Sequence, residues 1–201
     1  MPEHVIDWTK KDTIKAHSFE IEMEYITHLK DLYRRLHYWM ENEGFSDFNG
    51  MSNYETLYWQ RDTPQGTQEH HIWWRAYKNP GMEGNEQTQF RWFFKINMRT
   101  QNTSRQEIMH KGRKWKMYQT NFVINFDSYL INEYADGFKK TTFLKTLLSR
   151  WKAWAYKDRT MYFRDQLINK SMEFQNIVKE FLELQQDREQ PASVFPAGGK
   201  T

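Results

Sequence analysis

SFEIEMEYI, residues 18–26, runs straight into THLKDLYRRLHYWMENEG, residues 27–44, and the hydrophobic period changes at the junction. In the first piece Phe19, Ile21, Met23 and Tyr25 alternate with Glu20, Glu22 and Glu24. Period two over eight residues predicts a half-buried strand with an acidic outer face. In the second piece Leu29, Leu32, Tyr33, Leu36, Trp39 and Met40 recur every three or four residues, which predicts a helix from about 27 to 42 ended by Gly44.

Period two returns downstream. Tyr54 to Gln60 and His70 to Tyr77 read as strands joined by a turn at Pro64-Gln65-Gly66. Residues 88–100 are the clearest strand, with Phe90, Trp92, Phe94, Ile96 and Met98 on one face and Arg91, Lys95, Asn97 and Arg99 on the other. Residues 105–110 and 114–119 flank a hairpin turn at Lys111-Gly112, and residues 121–131 alternate again. Together these predict an antiparallel sheet of six or seven strands with one apolar face.

Residues 138–190 contain neither Gly nor Pro. Phe143, Leu144, Leu147, Leu148, Trp151 and Trp154 fall at helical spacing, and Phe163, Leu167, Phe174, Ile177, Val178, Phe181 and Leu184 continue the stripe. A single helix of that length would run about 67 Å, longer than a domain of this size, so a bend near 157–160 or an overhang is expected. The fold class is α+β: a curved antiparallel sheet packed on a long C-terminal helix. Residues 1–17 read as an N-terminal arm, 18–187 as one domain, and 188–201, with Pro191 and Gly198-Gly199, as a disordered tail.

Composition narrows the function classes. With 9 Trp, 11 Tyr and 14 Phe in 201 residues, large rings build this core or line a cavity in it. There is no cysteine, which excludes disulfides and thiolate metal sites and fits a reducing, cytoplasmic setting. No secretion signal is legible, and no window is apolar enough to span a membrane. The net charge of +3 is too mild to name a partner by itself.

The element order strand, helix, several strands, long helix resembles the helix-grip arrangement of the START-like (SRPBCC) superfamily, over residues 18–187. That resemblance implies a sheet curled around the last helix, with an apolar ligand held between them. The segment from His110-Lys111-Gly112-Arg113-Lys114 through the strand at 121–131 into the helix at 141–160 also resembles a family of small uncharacterised archaeal proteins. That second likeness carries over no functional residue.

Catalytic chemistry finds no nominee. There is no nucleophile elbow, no phosphate loop and no cofactor motif. Glu69-His70-His71 is the one metal-like cluster, but neighbours on a strand point to opposite faces and cannot share an ion. The remaining signals are for binding. Residues 139–170 carry nine Lys or Arg against Asp158 and Asp165, and the hairpin adds Arg105, Lys111, Arg113, Lys114, Trp115 and Lys116. With Lys152, these make a basic-aromatic surface suited to an anionic partner, either nucleic acid or an acidic protein. The sequence thus reads as a non-enzymatic binding protein without a cofactor.

Two other readings stand beside this one. Phe90, Trp92, Phe94, Phe122, Ile124, Phe126 and the polar Ser128 would wall an apolar pocket in a helix-grip carrier or sensor. Alternatively Phe174, Ile177, Phe181 and Leu184 would dock the chain into a larger assembly.

Overall fold

The computed structural model describes residues 12–27, 29–81, 90–110, 113–132 and 157–189. Within these, the side chains are described except at 25–27, 108–110, 113, 115–116 and 183–189. The elements in chain order are β1 (Thr13–Thr27), α1 (Leu29–Asn42), β2 (Glu55–Asp62), β3 (Gln68–Lys78), β4 (Phe90–His110), β5 (Arg113–Asn132) and α2 (Lys157–Glu189). The chain is α+β. Its strands form one antiparallel sheet in the order β1-β5-β4-β3-β2.

Among the described residues the sheet has five strands, not the six or seven that the alternation predicts. Residues 90–100 and 105–110 belong to a single strand, as do 114–119 and 121–131. The polar stretch Gln101–Ser104 looks like a strand end but is absorbed as a bulge. Gln101 pairs with Asn121 and Ser104 with Gln119, so β4 holds one extra residue there. Asn102 takes the left-handed conformation, φ 54°, a region that Asn tolerates better than most residues. Inward Thr100, Thr103 and Thr120 are buried at the bulge and bond one another: Thr103 Oγ1 lies 2.9 Å from Thr120 Oγ1 and 3.2 Å from Thr100 Oγ1. Hydroxyls that satisfy each other let the ladder continue where polarity suggested a break.

β1 begins at Thr13, inside the segment expected as an arm. Its register against β5 sets Phe19 opposite Phe126 and Ile21 opposite Ile124, while Glu20, Glu22 and Glu24 stay exposed, as the alternation requires. α1 then carries the chain across the inner face from the β1 edge to the β2 edge. It buries Leu32, Leu36 and Met40. Gly44, φ 72°, ends it: Phe45 N–H donates to Met40 C=O at 3.0 Å and Gly44 N–H to Glu41 C=O at 2.9 Å. These are the two bonds of a Schellman cap, and they lay Phe45 against Trp39 and Phe94.

α2 lies beside α1 on the same face. Phe163, Leu167, Phe174, Val178 and Phe181, spaced four, seven, four and three residues apart, are buried in one cluster with Phe94, Phe126 and Leu36. Phe174 and Phe181, expected as part of a docking stripe, are therefore core residues; the Leu184 side chain lies outside the described part. Arg35–Glu180 (2.7 Å) ties the two helices together, and Lys170–Glu43 (3.1 Å) ties α2 to the residue that follows α1. The bend expected near 157–160 falls at the border of the described residues: α2 is helical from Lys157, and residues 133–156 lie outside them.

Candidate functional site

The inner sheet face divides into a filled half and a hollow half. In the filled half, beneath α2, the ring of Phe126 stacks on Phe19 and Phe174 at 4.8 and 5.1 Å, and Phe90 meets Phe163 at 4.9 Å. Phe94 packs there too, and Trp92 is buried although its indole N–H meets no partner among the described residues. Ser128, read as the polar sign of a pocket, is fully buried. Its Oγ accepts the His17 N–H at 3.1 Å and lies 3.0 Å from Ser171 Oγ. Of the seven predicted lining residues, Phe122 lines a cavity, and the other six are buried.

The hollow half lies between the start of α1 and the β2, β3 and β4 strands. It is a cavity of about 510 Å³. Leu32, Ile72, Met98 and Phe122 make its apolar floor. Tyr33 from α1, Tyr58 from β2 and Tyr118 from β5 stand along its sides. Glu55, Gln60, Gln68, His70, Arg105 and Lys30 are its polar and charged groups. α2 contributes no lining residue among those described, so the space sits beside that helix rather than under it.

Glu55 holds one end. Its Oε2 accepts the Tyr33 hydroxyl at 2.7 Å and the Trp74 indole N–H at 3.2 Å. Burial, reinforced by this bond to a carboxylate, pushes the Tyr33 phenol well above its ordinary range, so it remains a donor. Trp74 is fully buried with its ring edge-on to Tyr33 and Tyr54. Glu55 is thus fixed by groups that cannot move without disturbing the core.

His70 lies farther along β3. Its Nδ1 is 2.8 Å from Thr100 Oγ1, which connects through Thr103 and Thr120 to the Gln101 carbonyl. Burial holds its imidazole below the ordinary value against a weaker opposite pull from Asp62. Because the unfolded chain takes up this proton first, the stability contribution is complete above about pH 6.5 and is lost as pH falls through the folded value. At Asp127 burial favours the neutral acid, but bonds from Lys15 (2.6 Å) and Ser18 (2.8 Å) outweigh it and depress the pKa. That second acid loss sets in only below about pH 4. His70→Gln is therefore expected to lose less stability than the parent between about pH 7.5 and pH 5 in urea unfolding. Equal losses would show that His70 does not titrate against burial.

The basic-aromatic surface is only partly in view. Arg105 lines the cavity, and Lys114 pairs with Glu107 at 3.6 Å. Lys111 and Lys152 lie outside the described residues, as do the side chains of Arg113, Trp115 and Lys116. The backbone ladder does continue to His110 opposite Arg113, forming the two arms of the hairpin. His70 and His71 face opposite ways, His70 toward Thr100 and His71 toward Trp59, and no metal-binding group of three side chains occurs among the described residues. On the outer face a smaller depression of about 280 Å³ is lined by Glu20, Glu22, Trp73, Asn97 and Arg99 among others.

Sequence reasoning missed Tyr33, Glu55, Tyr58 and His70 as a set. A register shift between Glu55 and Leu57 breaks the β2 alternation and hides that Glu55 and Tyr58 share a face. Two acceptor-bearing side chains, Gln60 and His70, opposite each other on the inward side were the available signal. No protein-family model matches this sequence, and no curated protein matches it.

Proposed function

We propose that this chain is a non-enzymatic binding protein that holds a small amphipathic molecule in the cavity between α1 and the sheet. The observation that carries this reading is the cavity itself: about 510 Å³, floored by apolar side chains, with a few fixed polar groups at its ends. That size and that mixture are those of small-molecule sites. The helix-grip resemblance supports the same class of ligand, with its place moved from beneath the last helix to beneath the first.

Native mass spectrometry of gently purified protein, followed by thermal unfolding with a series of straight-chain alcohols, tests this reading. A bound small adduct, or stabilisation approaching about 2.7 kcal/mol at a hundredfold excess over Kd, is the expected result. Protein that carries no adduct and melts at the same temperature with every alcohol would remove the proposal.

A further inference from the structure

We propose that the occupant is an amphiphile with a carboxylate head, gripped by Arg105 and Lys30, and an apolar chain laid along the cavity floor. This rests on the cavity being a ligand site and goes further by naming the head and where it sits.

The β4 bulge is the first ground. Up to Thr100 the inward residues of β4 are the even ones, Phe94, Ile96, Met98 and Thr100. The extra residue between Gln101 and Ser104 switches that parity, so Thr103 is buried and Arg105 lines the cavity. In a straight ladder Arg105 would project from the outer face with Lys95 and Arg99. A left-handed, non-glycine Asn102 is the conformational cost of turning it inward.

Position is the second ground. Arg105 pairs with Tyr118, and Tyr118 pairs in turn with Thr27 at the end of β1. Lys30 follows three residues after Thr27, so both cations stand at the same end of the cavity. Neither forms an ion pair among the described residues.

The carboxylate of the cavity wall is at the far end. Glu55 lies opposite Trp74, whereas Gln68 lies opposite Thr103, near Arg105. Six residues of β3 separate those rows, about 20 Å at the rise of a strand. Glu55 is also already bonded to Tyr33 and Trp74. Between the ends are Ile72, Met98 and Phe122. A guanidinium presents a planar fork that matches a carboxylate, and Lys30 adds a second charge-assisted donor. A cationic end, an apolar floor and a far carboxylate already bonded to Tyr33 and Trp74 fit a long monocarboxylate better than a neutral or a doubly charged molecule.

The test compares decanoate with 1-decanol, both below their aggregation limits, by calorimetric titration of the full chain at neutral pH and low salt. Decanoate is expected to bind about tenfold more tightly. Arg105→Gln and Lys30→Gln should each remove most of that advantage while leaving decanol affinity unchanged. Arg99→Gln, the same charge change on the outer face of the same strand, should alter neither. Equal affinities for the two probes, or an equal loss in the Arg99 variant, would overturn the headgroup assignment while the cavity reading stood. Binding of neither probe would overturn both.

Discussion

Replacing Phe174 by alanine is expected to lower the unfolding free energy by about 3–5 kcal/mol. The residue is fully buried halfway along α2. Its ring stacks on Phe126 at 5.1 Å, meets Trp39 of α1 edge-on at 5.4 Å, and approaches Phe19 and Phe94 at 6.5 Å. One side chain therefore joins β1, β4, β5 and both helices. Aromatic pairs of this kind add to plain area burial, and stiff rings on all sides leave little room for the hole to collapse. Met172, on the exposed side of the same helix, supplies the control: Met172→Ala should change stability by less than about 0.5 kcal/mol. Urea unfolding followed by tryptophan fluorescence measures both. A Phe174→Ala loss below about 1 kcal/mol would mean that α2 does not rest on the sheet through this stripe.

The same residue marks where sequence reading succeeds and where it stops. The helical stripe through Phe163, Leu167, Phe174 and Val178 was legible because helix and core share a period. So was β1, whose glutamates mark the solvent face. What sequence did not reveal was which space the stripe fills. Phe90, Phe94 and Phe126 look equally suited to walling a pocket or closing one, and only the arrival of Phe163 and Phe174 from a remote segment decides it. The strand count failed for a related reason. Gln101–Ser104 carries the composition of a turn, but three threonines from two strands satisfy one another across it, a long-range pairing that no local window contains. The cavity was hidden by the same irregularities, since a bulge in β4 and a register shift in β2 each invert the inward parity.

Ile72→Trp is expected to abolish ligand-dependent stabilisation while the fold survives. Ile72 is only partly buried, points to the inner face between Tyr58 of β2 and Met98 of β4, and looks into the cavity rather than into the clasp beneath α2. Added volume at most core positions forces neighbours off their rotamers and costs about 1–3 kcal/mol. Here the added ring enters unfilled space, so the unliganded variant should unfold within about 1 kcal/mol of the parent. A ligand at a hundred times its Kd stabilises the parent by about 2.7 kcal/mol, and that increment should vanish. The stability of the unliganded variant separates occlusion from unfolding: a variant that melts normally yet ignores the ligand locates the site. If the indole instead left ligand stabilisation intact, the ligand would have to bind somewhere other than this cavity.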